Sequence, residues 1–139
     1  MAWSLTRLDA VSLGLVAVTA LAGLVLYPRL PAEMAIHFSA TGRPDDFAPK
    51  PVAVAAVPVV MVLTHVVLRW AVRVDPPDDP RIVTVVVVAT MLLLAATQGL
   101  VLAWNLGYPV PFDLVLLGVL AWGGLVVGYT VVREYGLDL

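Results

Sequence analysis

The chain has no cysteine and a single lysine, Lys50. The missing thiols exclude disulfides, thiolate catalysis and cysteine-ligated metals. Charge is scarce as well: only 13% of the 139 residues are Asp, Glu, Lys or Arg, and the formal net charge is −2. An ordinary soluble domain has about a quarter of its residues charged. Without a basic excess there is no electrostatic footprint for a nucleic acid. Histidine is limited to His37 and His65, so imidazole chemistry has only two places to occur. What fills the chain instead is apolar, at 61% of residues. A chain this short cannot hide that much apolar surface in one aqueous core. The lipid bilayer is the solvent and partner that such a composition fits.

Four apolar runs, residues 8–27, 52–70, 82–104 and 112–132, are each close to the roughly 20 residues that cross a bilayer core as helix. The Val85-Val86-Val87-Val88 tract would suit a strand in water. Inside a continuous apolar run it is expected to be helical, because an open strand leaves backbone groups unpaired in lipid. Arg7 and the Ala20-Leu21-Ala22 step resemble parts of a signal peptide, but the run continues to Tyr27 and is read as a retained span. The connectors around residues 75–80 and 105–111 are short and rich in proline, which makes neighbouring helices antiparallel. The expected fold is an all-α membrane protein: one domain over residues 1–139, a four-helix transmembrane bundle with an ordered extracytoplasmic loop between helices 1 and 2. Arg7, Arg69, Arg73, Arg81 and Arg133 fall at one end, and Arg29, Arg43 and Lys50 at the other. That bias predicts a cell-membrane protein with both termini cytoplasmic.

The loop, residues 28–51, is the longest polar interruption and holds five of the eleven prolines. Met34, Ile36 and Phe38 alternate with Ala35 and His37, which predicts a short extended segment with one apolar edge. Gly42 is free to take positive φ, and Arg43 before Pro44 is pushed away from helix, so a tight turn follows. Leu30, Pro31, Ile36, His37, Phe38, Gly42, Pro44, Asp45, Phe47 and Lys50 form a spaced pattern. This pattern resembles the signature loop of the SdpI-type membrane proteins, the domain of unknown function 1648 type. In that family a leucine-proline, an apolar-His-aromatic step and a Gly-x-Pro-Asp turn lie between two transmembrane helices. Ala35, Ser39 and Asp46 depart from the family's usual residues. The resemblance implies a non-enzymatic protein that recognises an external peptide or toxin, for immunity, for signalling or for both. On it, His37, Phe38, Gly42, Pro44, Asp45, Phe47 and Lys50 are the candidate ligand-binding or loop-signature residues.

Within the apolar runs, His65 is the candidate ionisable group, with Arg69 one turn further on and no evident acidic partner in the spans. It also carries the alternative reading, a small transporter or accessory membrane subunit. Gln98 is expected to bond across to another helix. Pro58 should kink the second helix, free a carbonyl and shape a shallow outward cavity. Ala95, Gly99 and Ala103 on the third helix, and Gly124 and Gly128 on the fourth, are expected to permit close packing inside the bundle, or a homodimer through Gly124 and Gly128. A membrane enzyme centred on His37 is the least favoured reading. His37 with Glu33, Asp45 and Asp46 matches no metal-ligand spacing, and Ser39 or Thr41 beside His37 lacks an orienting third group. No catalytic residue, metal or other cofactor is expected.

Overall fold

Helix α1 (Arg7–Leu26) opens on a reciprocal cap. The Asp9 N–H donates to Thr6 Oγ1 at 3.2 Å, and the Thr6 N–H donates to Asp9 Oδ2 at 2.8 Å, so two donors of the first turn are satisfied locally. The computed structural model describes residues 5–136. After α1 come a single 3-10 turn (Tyr27–Arg29), strands β1 (Glu33–Phe38) and β2 (Pro44–Pro49), and helices α2 (Lys50–Val74), α3 (Pro80–Asn105) and α4 (Phe112–Tyr135). All four helices are long and apolar enough to cross a membrane. The valine tract lies inside α3 as helix.

The solvent preference of α1 is inverted relative to a helix in water. Its buried residues are Asp9, Ser12, Thr19 and Gly23, while Val11, Leu13, Val18, Leu21, Leu24 and Val25 are exposed. Polar and small groups face the neighbouring helices and apolar ones face outward, as lipid requires. Gly23 allows the approach to α2: a Cβ there would stand 2.7 Å from Val54 Cγ1. Helices α1, α2 and α3 pack against one another, and α4 leans on α3. Among the described residues, none in α4 is buried.

The core has two centres. Met61, Val87 and Met91 close the middle of the three-helix unit, with Leu15, Val16 and Val57 around them. Leu30, Met34, Ala48, Val54 and Leu102 form the other, where the loop seats on the ends of α2 and α3.

The loop is more regular than its sequence suggests. β1 and β2 form an antiparallel hairpin in which Met34 faces Ala48 and Ala35 faces Phe47, with the register broken around Ile36 and again beyond His37. Only the first strand is legible in the alternation. Pro44, Asp45, Asp46 and Pro49 are poor strand formers, acceptable here because a two-stranded ribbon is all edge. The broken register also spoils the single apolar edge: Met34 is fully buried, Ile36 is exposed, and Ala35 is as buried as Met34. α2 begins at Lys50, inside the expected loop, and runs to Val74, four residues past its apolar run.

Within the small-residue stripes, Ala95 packs against the Met61, Val87 and Met91 cluster as expected, but the glycines do not. A Cβ at Gly99, Gly124 or Gly128 would meet no heavy atom of the described residues within 4 Å. Internal packing among the described residues is therefore not what these glycines serve.

Candidate functional site

Three groups of side chains stand out. The first is the hairpin. Its turn is closed by the Ser39 N–H donating to the Arg43 carbonyl at 2.8 Å and the Gly42 N–H donating to the Ser39 carbonyl at 2.9 Å. Gly42 has φ +76°, and a Cβ on it would stand 2.5 Å from the Phe112 ring. Glycine is thus required twice, for the backbone conformation and for contact with the start of α4. Phe38 packs between Trp104 and Phe112, with ring centroids 5.2 and 4.9 Å away. Asn105, at the end of α3, accepts from the Ala35 N–H and donates to the Ala35 carbonyl, both at 2.9 Å, and also donates to the Val101 carbonyl at 2.8 Å. A helix side chain thereby completes the free edge of β1. Lys50 Nζ donates to the Tyr27 carbonyl at 3.2 Å and lies 4.7 Å from the Tyr27 ring centroid, which joins the two feet of the loop.

On this anchored frame His37 and Asp45 face each other across the strands, Nδ1 to Oδ1 at 2.5 Å, with side chains 70% and 47% exposed. Phe47 is 53% exposed and Ile36 38%. The signature residues therefore divide by role. Phe38, Gly42 and Lys50 hold the hairpin in place, Pro44 ends the β2 pairing opposite Phe38, and His37, Asp45 and Phe47 face outward. Among the described residues no three His, Asp or Glu side chains gather as a metal site would need.

The second group lies at the opposite end. His65 has its partner after all. Its Nε2 is 3.1 Å from Asp9 Oδ1, Arg69 Nε is 3.0 Å from the same oxygen, and Arg69 Nη2 donates to Asp9 Oδ2 at 3.4 Å. Asp9, the capping residue of α1, is the acid that the apolar spans of the sequence did not reveal. His65 and Asp9 are both more than nine-tenths buried. Arg69, expected one turn beyond His65, turns inward to the pair instead of outward to the interface. The Thr6-Arg7-Leu8-Asp9 step is a readable cap pattern, but a cap pattern carries no information about a residue 56 positions away. The buried His65 Nδ1 and Ser12 Oγ have no hydrogen-bond partner among the described residues.

The third group links α2 and α3. Pro58 lacks the N–H that would bond the Val54 carbonyl. Gln98 Nε2 lies 3.4 Å from that oxygen and 3.4 Å from the Ala53 carbonyl. The freed carbonyl and the helix-crossing glutamine are thus one arrangement. Pro58 is buried, and the large cavity is not beneath it. A groove of about 750 Å3 runs instead between α3 and α4, roofed by residues 36–40 of the hairpin and reaching Trp122. Trp122 Nε1 donates to the Ala89 carbonyl at 3.3 Å, one of the few polar ties that α4 makes.

Among curated proteins and solved structures, none matches this chain. The model of one family, described as Domain of unknown function (DUF1648), matches residues 14–62, which takes in most of α1, the whole hairpin and the first half of α2.

Proposed function

We propose that this is a non-enzymatic recognition protein of SdpI type, whose hairpin meets an external membrane-active peptide for immunity, signalling or both. The observation that carries this reading is the division within the hairpin. Asn105, Phe38 and Gly42 fix the frame, and the residues left outward are an apolar pair, Ile36 and Phe47, beside an exposed polar pair, His37 and Asp45. Apolar anchors next to polar groups on a rigid support suit binding at low ordering cost. Backbone pairing with a partner strand is disfavoured, since Pro44 and Pro49 lack donors and the Asp46 side chain accepts from the Phe47 N–H at 2.9 Å.

The alternative, a transporter working through His65, finds less support. His65 is held by Asp9, and the fully buried Met61, Val87 and Met91 occupy the middle of the three-helix unit.

The test is survival. Cells expressing the protein and empty cells are challenged with a panel of secreted membrane-active peptides. The expected result is a tolerated concentration raised about tenfold for at least one peptide. Equal survival against the whole panel contradicts the reading. The basic bias favours an external hairpin, and on that orientation a cysteine at Ser39 should react with an impermeant thiol reagent in intact cells and one at Asp79 only after lysis. The reverse order would place the hairpin in the cytoplasm, out of reach of an external peptide.

A further inference from the structure

The groove between α3 and α4 is not needed to explain peptide recognition, and its chemistry is different. Its walls offer no free polar group. Thr97 Oγ1 donates to the Leu93 carbonyl of its own helix at 2.8 Å, and Trp122 Nε1 is taken by Ala89. At the roof are His37 and Ser39, and the Ser39 hydroxyl already pairs with Thr41 Oγ1 at 2.9 Å and accepts from the Arg43 N–H at 3.3 Å. His37 uses Nδ1 on Asp45, which leaves Nε2 as the other polar atom of the ring. The site is therefore polar at the membrane interface and purely apolar below it, the polarity of an amphiphile lying along a bilayer leaflet.

Its size selects among apolar occupants. The α4 wall from Phe112 to Trp122 is about 15 Å long at 1.5 Å per residue. That length and a volume of about 750 Å3 suit a slender apolar chain lying along the helices. A hydrocarbon chain is thin enough to enter, and the volume lies within the usual range for small-molecule sites. Leu92, Leu116 and Val119 border the groove and are 41%, 53% and 42% exposed. Its open side therefore lies between two spanning helices, where phospholipid chains are the surrounding medium.

We propose that this groove is a site for one acyl chain of a bilayer phospholipid, whose headgroup sits against His37 at the roof. The lipid lies under the hairpin roof and bridges α3 and α4, whose polar ties include the Trp122–Ala89 hydrogen bond and the Arg133–Asp79 pair. This inference goes beyond peptide recognition and does not depend on it.

The experiment needs no peptide. The full chain is purified in mild detergent, washed extensively, and its retained phospholipid counted by native mass spectrometry. Gly118→Phe and Ala96→Phe fill the groove from opposite walls, and Gly128→Phe adds the same bulk outside it. About one phospholipid per chain is expected in the parent and in Gly128→Phe, falling about tenfold in either groove variant that keeps the parent's thermal transition. Retention equal in all variants, no retained phospholipid in the parent, or a co-purifying polypeptide displaced by the groove variants would overturn the proposal.

Discussion

Asn105 holds the backbone of Ala35 from both sides, accepting from its N–H and donating to its carbonyl at 2.9 Å each. Ala35 is fully buried, so water cannot replace that partner without opening the hairpin. Asn105→Ala should therefore cost about 2–6 kcal/mol, the sum of two unsatisfied backbone groups. Asn105→Asp should be no better, because its carboxylate would face the Ala35 and Val101 carbonyls. Hydrogen exchange at the Ala35 amide is the check: it should accelerate in both variants while the α2 amides keep their protection. Unchanged exchange would mean that the strand is held by β2 alone.

Gly42→Val should damage the hairpin more than Thr41→Val. The positive φ of Gly42 costs a β-branched residue about 1–3 kcal/mol, and its side chain would also drive into the Phe112 ring. Phe112→Ala should relieve the collision and leave the backbone strain, so the double variant should recover only in part. Protease cleavage within residues 39–43 measures this, and equal cleavage of both single variants would rule out the strained turn.

At the other end, Asp9 caps α1 and binds both His65 and Arg69. Removing one member of a buried charged group strands the rest, at about 3–5 kcal/mol. Asp9→Ala should be the most destabilising change of the three, since it also removes the cap. His65→Ala should cost less, because Arg69 still neutralises Asp9. Reversible unfolding in detergent would order the variants, and a His65→Ala melt below that of Asp9→Ala would reverse the assignment of Asp9 as the centre.

Asp79 ties the foot of α4 to the start of α3. Its carboxylate accepts from the Arg81 N–H at 2.9 Å and pairs with Arg133. The Arg81 backbone donor acts most strongly, desolvation opposes it, and the Arg133 guanidinium adds to the donor, which together hold the carboxyl below the ordinary 3.8. A depressed carboxyl contributes stability that is complete above its unfolded value and fades as pH falls through the folded one. Protection of the last turn of α4 should therefore be flat near neutrality and decline below about pH 4. Asp79→Asn should remove that decline by lowering protection at all pH values. A pH-independent last turn in the parent would contradict the tie.

The spans were legible because lipid imposes one rule on every residue between Val52 and Trp70 or Ile82 and Trp104: backbone groups must pair within the helix. Gly42 was legible for the same kind of local reason. The second strand was hidden by Pro44 and Pro49, whose tolerance depends on the ribbon having no further neighbours. The Asp9–His65 contact was invisible because the first turn of α1 and the inner part of α2 are brought together only by the packing of the two helices. The glycines of α4 meet no neighbour within the described residues: a Gly-x-x-x-Gly step states that close approach is possible, not what approaches.

The central claim is that the hairpin's outward residues serve recognition and its inward ones serve structure. The most direct measurement compares His37→Ala, Asp45→Ala and Phe47→Ser with the parent, in peptide survival and in thermal unfolding. His37 and Asp45 are exposed, so water can satisfy a truncated partner and stability should change by no more than about 1 kcal/mol. Insertion and melting close to the parent's, with protection against the external peptide lost, is the predicted result. Full protection in all three variants at equal membrane levels would contradict the account and move the functional site away from the hairpin.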